Sequence, residues 1–156
     1  MTETDIDAIM ATFAVWNKTR GQYAGYFKEQ QRDQRVVLVA VAPDDREAHA
    51  VIGYGCVVWR SKYAGFHERN VPEIVDLNVI TAHQRQGVGS ALIAAAEWLV
   101  AGRGFTQIGI SVEQSPEYAA AQRLYPQLGY TPVGCTAHNN QLHLIKALAP
   151  PHTARS

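Results

Sequence analysis

Gln84-Arg85-Gln86-Gly87-Val88-Gly89-Ser90 is the stretch that decides the fold, because it lies between a predicted strand and a predicted helix. Gly87 and Gly89 fall in the first turn of that helix, although a glycine in a helix interior costs about 1 kcal/mol relative to alanine. A helix N-terminus offers free N–H groups and a positive dipole, and glycines let an anion approach them closely. The first acidic residue of the helix is Glu97. The stretch therefore predicts a binding site for an external anion.

The segments on either side of this stretch have clear periodicities. Residues 73–80 alternate as a strand, which puts Glu73, Val75, Leu77 and Val79 on one face. After the glycines, apolar residues recur at helical spacing until Gly102-Arg103-Gly104, which predicts the end of the helix. The helical positions in this pattern are Val88, Leu92, Ala95 and Leu99.

The rest of the chain reads as a mixed α/β domain, in the order ααβββαβαββ. We predict helices over about 5–16, around 23–27 and from Ser115 to Leu128, a hairpin over 35–42 and 50–60, and strands around 108–112, 130–135 and 141–147. A polar turn through Asn139-Asn140 joins the last two strands. We expect one domain over residues 1–148 and a flexible tail over 149–156.

Composition narrows the functional class. The 156 residues carry 14 basic and 14 acidic side chains, so the net charge gives no long-range attraction to nucleic acid or to an anionic membrane. The two cysteines suggest neither a disulfide framework nor a metal motif. The acidic start of the chain is unlike a signal peptide, and no apolar run is long enough to span a bilayer. We therefore expect a cytoplasmic protein without nucleic-acid or membrane partners.

Two motifs resemble those of the GNAT superfamily of acetyl-CoA-dependent N-acetyltransferases. Residues 84–89 are similar to its phosphate-binding motif, Gln/Arg-x-x-Gly-x-Gly/Ala, and residues 77–83 look like its fourth strand with the following loop. Residues 121–130, with Leu124-Tyr125 and Gly129-Tyr130, are similar to its closing Leu-Tyr-x-x-x-Gly-Phe/Tyr motif. The likeness covers about residues 5–147. It implies a single-domain GNAT-like fold with a mixed central sheet of about six strands flanked by helices.

The resemblance also implies the roles of the cofactor-binding residues. The family binds acetyl-CoA as co-substrate, with the pyrophosphate in the turn formed by Gln84, Arg85, Gln86, Gly87, Val88, Gly89 and Ser90. The backbone around Leu77 and Val79 would pair with the pantetheine arm.

Acetyl transfer requires a base to take a proton from the amine and benefits from an acid that protonates the departing thiolate. Glu73 is the leading base, because it lies on an otherwise apolar strand face, where burial would raise the pKa of a carboxylate. Histone-acetylating members carry their base glutamate at the same offset from the motif. Asp76 and Glu113 are alternative bases, and the closing motif makes Tyr125 the acid.

Three departures from the family pattern have structural consequences. Pro126 follows Tyr125 inside the predicted helix, where proline breaks a backbone hydrogen bond. Tyr118 stands seven residues before Tyr125, where many members have asparagine. The chain begins with a helix, so we expect the first family strand to be missing, and the sheet edge left open favours a homodimer.

Neither a metal site nor a nucleophilic triad is visible in the sequence. The six histidines, including His67, His138 and His143, lack metal-ligand spacing and are interpreted as isolated surface residues. Direct attack of the amine on acetyl-CoA is therefore expected, without a metal and without an acyl-enzyme.

The acceptor amine depends on regions outside these motifs. Trp16, Tyr23, Tyr26, Phe27, Trp59, Tyr63 and Phe66 lie in regions that shape the acceptor pocket in this family. If several of them line it, the pocket is aromatic and nearly uncharged, which favours a small-molecule primary amine. Three alternatives stay open: a protein or peptide acceptor, another acyl group, and a regulatory module that binds CoA without catalysis.

Overall fold

The computed structural model describes residues 1–12, 20–41, 51–80, 84 and 87–149. The helices are α1 (Glu3–Thr12), α2 (Arg20–Gln31), α3 (Ala64–His67), α4 (Val88–Gly102) and α5 (Ala119–Gln127). The strands are β1 (Arg35–Val41), β2 (Val51–Val58), β3 (Glu73–Val79), β4 (Gln107–Glu113), β5 (Thr131–Thr136) and β6 (Gln141–Ala147). Apart from the single turn α3, this is the predicted order.

The six strands form one open sheet in the order β1-β2-β3-β4-β6-β5. β3 and β4 are parallel, whereas β1 with β2, β4 with β6 and β5 with β6 are antiparallel. The sheet is therefore mixed, as predicted. No strand occurs in residues 1–12 and 20–34, the described part of the chain before β1, and the absence of the first family strand stays a prediction.

β1 lies at one edge of this sheet, and one of its residues has its outward backbone groups satisfied. The N–H of Val37 donates to Gln30 Oε1 at 3.0 Å, and its carbonyl accepts from the Met1 ammonium at 2.8 Å. Because the edge is covered at this position, the argument for a partner subunit is weaker, and the homodimer stays a prediction.

The chain divides into two compact units, Met1–Val58 with Asp76–Ala96, and Trp59–Val75 with Glu97–Ser156. In the first unit, α1 and α2 pack on the β1–β2 hairpin. Their shared core is formed by Ile6, Ile9, Tyr23, Val51 and Tyr54.

The second unit has its own core around β4 and β6. Its fully buried side chains include Phe66, Ile108, Ile110 and Leu144. Ile108, Ile110 and Val112 alternate inward along β4, as their spacing predicted. This alternation leaves Gly109, Ser111 and Glu113 on the other face of the strand.

Gly109 is a packing requirement of this second unit. A β-carbon built there would lie 2.6 Å from the Phe66 ring, and Phe66 is itself buried. We expect Gly109→Ala to lower the free energy of unfolding by about 1–3 kcal/mol, because the aromatic ring has to move in a close-packed core. Chemical denaturation measures the change. Gly102→Ala is the matched control, since nothing lies within 4 Å of its added β-carbon; equal stability of the two variants would contradict this packing.

Two predicted patterns differ in detail from the structure. Asp76 has a left-handed φ of 55°, which breaks the regular alternation predicted along β3. In α4, the buried residues are Leu92, Ile93, Ala96 and Val100, whereas Ala95, predicted on the same helical stripe, is exposed.

The 15 residues of α4 make it the longest described helix, and no helix of the described ranges is long and apolar enough to cross a lipid bilayer.

The segment around α5 also begins differently than predicted. Ser115 makes no capping hydrogen bond with its side chain, and Pro116–Tyr118 form a 3₁₀ turn before α5 starts. The helix ends as predicted at Gly129, whose φ of 96° suits a glycine. There the Tyr130 N–H donates to the Tyr125 carbonyl at 3.1 Å, which closes the last turn.

Candidate functional site

A cavity of about 610 Å³ opens in the second unit, on the face of β4 that carries Ser111. This volume is in the range of small-molecule sites. Its walls come from the segment before α3 and from strands β3 to β6, and the lining residues are Lys62, Tyr63, Ala64, Glu73, Val75, Ser111, Thr136, His138, Asn139, Gln141 and His143. The cavity therefore combines a carboxylate, a lysine and two histidines with neutral polar groups.

Glu73 is the buried acidic residue of this cavity. Only 7% of it is exposed, and each carboxylate oxygen accepts a serine hydroxyl: Ser61 Oγ at 2.6 Å and Ser111 Oγ at 2.8 Å. Two hydroxyl donors match an ionised carboxylate, which is an acceptor only. The sequence-predicted base thus lies in the cavity wall, with hydrogen bonds that fix its orientation.

His143 lies next to this carboxylate, and its interpretation as an isolated surface residue is wrong. It is 4% exposed, and its Nδ1 and Nε2 lie 2.6 Å from Ser111 Oγ and 2.5 Å from Thr136 Oγ1. Its ring stacks on Tyr63, with centroids 3.6 Å apart. Burial lowers the pKa of the imidazole, which favours its neutral form.

Strand register explains why sequence reasoning missed this histidine. Ser111 of β4 pairs directly with His143 of β6, and Glu73 of β3 pairs with Gly109, two residues from Ser111. The three polar side chains meet because these registers place them on one face of the sheet. The only sequence signal was a polar residue between Leu142 and Leu144 in a strand.

Asp76 and Glu113, the alternative bases, lie in environments that differ from that of Glu73. Asp76, in the first unit, accepts a hydrogen bond from the Tyr26 hydroxyl at 3.0 Å and lies 3.6 Å from the Arg35 guanidinium. Glu113 ends β4, but it is not among the described residues that line the cavity. These environments make both residues weaker candidates than Glu73.

Tyr125, the predicted acid, is a buried residue of α5. It is 6% exposed, and its ring lies 6.3 Å from that of Tyr130. Burial raises its pKa to about 12. The phenol therefore keeps its proton through the neutral range, as an acid must.

The predicted phosphate turn lies in the first unit, at the start of α4. The first helical hydrogen bond runs from Ala91 N to Gly87 O at 2.9 Å, so the N–H groups of Val88, Gly89 and Ser90 have no acceptor within the helix. Gly87 has a φ of 82° and open space around a β-carbon, and the first turn carries no acidic residue. This helix start fits an anion.

The remaining predicted CoA-binding residues are distributed around this turn. The Gln84 amide donates to the Val79 carbonyl at 3.0 Å, which connects the loop to the end of β3. Leu77 and Val79 are both half-buried in β3. Arg85 and Gln86 lie outside the described residues.

The aromatic residues expected to shape an acceptor pocket lie in different environments. Tyr63 lines the cavity, but Tyr23 and Phe66 are core residues. Trp59 stacks on Phe105 with ring centroids 5.8 Å apart. The Tyr26 hydroxyl donates a hydrogen bond to Asp76, and Trp16 lies outside the described residues.

Within the described chain, no three His, Cys, Asp or Glu side chains are grouped so that they could hold a metal ion.

No curated protein matches the chain closely enough to serve as a relative. Among solved structures, the fold is similar to the ribosomal-protein-alanine N-acetyltransferase from Brucella melitensis (TM-score 0.73, 22% identity, 95% of this chain and 97% of that chain covered). It is also similar to the PaiA N-acetyltransferase from Thermoplasma acidophilum in complex with coenzyme A (0.71, 12%, 94% and 95%) and to an aminoglycoside 6'-N-acetyltransferase complexed with coenzyme A (0.62, 17%, 93% and 89%).

The sequence family is established directly. The model of the acetyltransferase (GNAT) family matches residues 5–130, which is most of the chain. The chain therefore belongs to the GNAT acetyltransferase family. Acetyl-CoA is the co-substrate of this family, and the acceptors are amines.

Proposed function

We propose that the chain transfers the acetyl group of acetyl-CoA to the primary amine of a small molecule, by direct attack, with Glu73 as base and Tyr125 as acid. The observation that carries the proposal is the buried carboxylate in the wall of a cavity of about 610 Å³. An alkylammonium must lose a proton before it attacks, and a carboxylate held at the acceptor site can take that proton. The carbon–nitrogen bond then forms, the carbon–sulfur bond breaks, and the thiolate receives a proton from the phenol. The second proton that the nitrogen loses as the amide forms restores the phenol, and the proton on Glu73 is released to solvent.

Acetyl-CoA would bind through the start of α4. The free N–H groups of Val88, Gly89 and Ser90 suit the pyrophosphate, and Gly87 leaves their approach open. Gln84, Arg85 and Gln86 complete the proposed turn, and the backbone at Leu77 and Val79 would pair with the pantetheine arm.

The character of the cavity supports a small and polar acceptor. Lys62 and the exposed polar residues of the β5–β6 connection, His138 and Asn139, add donors and acceptors to the cavity that holds the carboxylate. Such groups would bind hydroxyl or carboxylate substituents of an amine-bearing metabolite. Acetylation of a protein N-terminus would instead require the cavity to admit an extended chain.

The proposal is tested by incubating the protein with acetyl-CoA and a panel of acceptors, with N-acetylated products detected by mass spectrometry. The panel holds small polar amines, polyamines, aminoglycosides and peptides with free N-termini. We expect product from small amines. Product from peptides alone would contradict the small-molecule acceptor, and acetyl-CoA binding without any product would favour a regulatory module.

The role of Tyr125 gives a separate prediction. We expect Tyr125→Phe to lower kcat by about 100-fold, because the thiolate then leaves without a proton donor, while the Kd for acetyl-CoA stays the same. Since the pKa of this phenol is raised to about 12, the native enzyme should show no alkaline loss of kcat from this group until the pH approaches that value. Measuring kcat of the native protein and of the variant over a series of pH values tests both effects. An unchanged kcat in the variant would exclude Tyr125 as the acid.

A further inference from the structure

Glu73 is the end of a chain of polar side chains that runs along the cavity wall. Ser111 Oγ lies 2.8 Å from the Glu73 carboxylate and 2.6 Å from His143 Nδ1. On the other side of the imidazole ring, His143 Nε2 lies 2.5 Å from Thr136 Oγ1. His143 is neither a cavity-filling apolar residue nor part of a metal site in the described chain. Its two ring nitrogens are both engaged, so its role lies within this chain of hydrogen bonds.

The protons of this chain can be assigned from the chemistry of its members. An ionised carboxylate only accepts, so the single hydroxyl proton of Ser111 points to Glu73. Ser111 Oγ must then accept from His143, which requires a proton on Nδ1. In a neutral imidazole the other nitrogen has no proton, so Nε2 accepts from the Thr136 hydroxyl. The ionised base therefore corresponds to one tautomer of His143, with the proton on Nδ1.

Protonation of the base reverses every hydrogen bond in the chain. A neutral Glu73 can donate to Ser111 Oγ, whose hydroxyl then points to His143 Nδ1, and the ring proton moves to Nε2. Protonation of Glu73 is therefore coupled to a change of the His143 tautomer.

The surroundings of His143 hold its ring in one orientation. The Tyr63 ring lies parallel to it at an interplanar angle of 10°, and the Phe66 edge lies at 81° with a centroid distance of 5.8 Å. The other ionisable residues that line the same cavity are Lys62 and His138. Because stacking fixes the plane of the imidazole, Nδ1 and Nε2 stay directed at Ser111 and Thr136.

We propose that His143 is a positioning residue for the base: through Ser111 it directs a hydroxyl proton at the ionised Glu73 and so orients the carboxylate in the cavity wall. This inference rests on the proposed role of Glu73 as the base. In this role His143 acts through the Ser111 hydroxyl, and a contact between His143 and substrate or acetyl-CoA is not required. The hydrogen-bonded pair Ser111 and His143 would act on catalysis only through the carboxylate.

The first test is spectroscopic and needs no substrate. The ¹⁵N chemical shifts of histidine-labelled protein distinguish the two tautomers of a neutral imidazole, and we expect His143 to carry its proton on Nδ1. Ser111→Ala should abolish that preference. Ser61→Ala is the control for loss of a serine donor to Glu73, because it keeps the Ser111 hydroxyl next to His143; it also removes the acceptor of the Tyr63 N–H, which lies 3.0 Å from Ser61 Oγ. A proton on Nε2 in the native protein, or the same loss in both serine variants, would overturn the proposal.

The second test uses two substitutions that replace one ring nitrogen each. The amide of His143→Asn reaches the position of Nδ1 and can still donate to Ser111, whereas the amide of His143→Gln reaches the position of Nε2 and faces Thr136. We expect kcat to fall by about 10-fold or more in the glutamine variant with KM unchanged, and to be largely retained in the asparagine variant. Equal losses in the two variants, with equal unfolding midpoints, would show a packing role instead.

Failure of this inference can be told apart from failure of the proposed function. If Glu73→Gln abolishes transfer but the asparagine and glutamine variants of His143 behave alike, Glu73 remains the base and the positioning role is wrong. If Glu73→Gln remains fully active, the proposed base is wrong, and the role of His143 falls with it. Should either His143 variant fail to fold, the comparison of Ser111→Ala with Ser61→Ala decides the question.

Discussion

Replacing Glu73 by glutamine is expected to lower kcat/KM for acetyl transfer by about 100-fold to 10,000-fold, the range that general-base catalysis contributes in enzymes. Glutamine keeps the size of the side chain and can still bond to Ser61 and Ser111, but its amide cannot accept a proton from the amine. The Kd for acetyl-CoA should not change. Steady-state kinetics and calorimetric titration measure the two quantities.

Glu113→Gln is the matched control for this substitution. It removes the same charge from another strand residue, Glu113 of β4, which does not line the cavity among the described residues. We expect its kcat/KM to equal that of the native chain. A loss of activity in Glu113→Gln together with an active Glu73→Gln would transfer the role of base to Glu113.

Gly89→Trp is expected to raise the Kd for acetyl-CoA by about 100-fold or more, which corresponds to about 2.8 kcal/mol of binding free energy. Helical side chains point toward the helix N-terminus, so the indole would cover the free N–H groups of the first turn of α4. A β-carbon at this position makes only an ordinary contact, with Val79 Cγ2 at 3.9 Å, and circular dichroism of the variant checks that the indole leaves the fold intact. Calorimetric titration of both proteins with acetyl-CoA measures the change.

Gly89→Ala is the control for the size of the side chain. Its methyl group fits the same space and adds helix propensity, so we expect native affinity for acetyl-CoA and an equal or higher unfolding midpoint. Native affinity in Gly89→Trp would contradict binding of the pyrophosphate at this helix start. Lost affinity in both variants would mean that the position tolerates no side chain at all.

The element order and the helix start were predictable because they depend on local patterns. The glycines at 87 and 89 signalled an unusual helix N-terminus, and α4 does begin at Val88 with Gly87 in the left-handed region. Alternation predicted the inward face of β4, where Ile108, Ile110 and Val112 are buried. In each case a few neighbouring residues carry the whole signal.

The partners of Glu73 were not predictable because they depend on strand register. Ser111 and His143 meet only because β4 and β6 pair in the register that places them opposite each other. A single sequence does not specify which residues face each other across a sheet. The same limit applies to Asp76, whose left-handed φ changes the direction of β3 in a way that alternation does not reveal.

The environments of the aromatic residues in the opening helices and in the loop after β2 were not predictable for a related reason. Burial of Tyr23 and Phe66 in two separate cores could not be distinguished from exposure in a pocket by helical spacing alone. The site residues, the small-molecule acceptor, the homodimer and the cytoplasmic location stay predictions.

The most direct measurement is a crystal structure of the protein with a conjugate in which CoA is covalently linked to the nitrogen of an accepted amine. The account predicts that this nitrogen lies about 3 Å from the Glu73 carboxylate, within the cavity that His143 and Ser111 line. A nitrogen bound away from that carboxylate, next to Glu113 or Asp76, would contradict the assignment of Glu73 as the base.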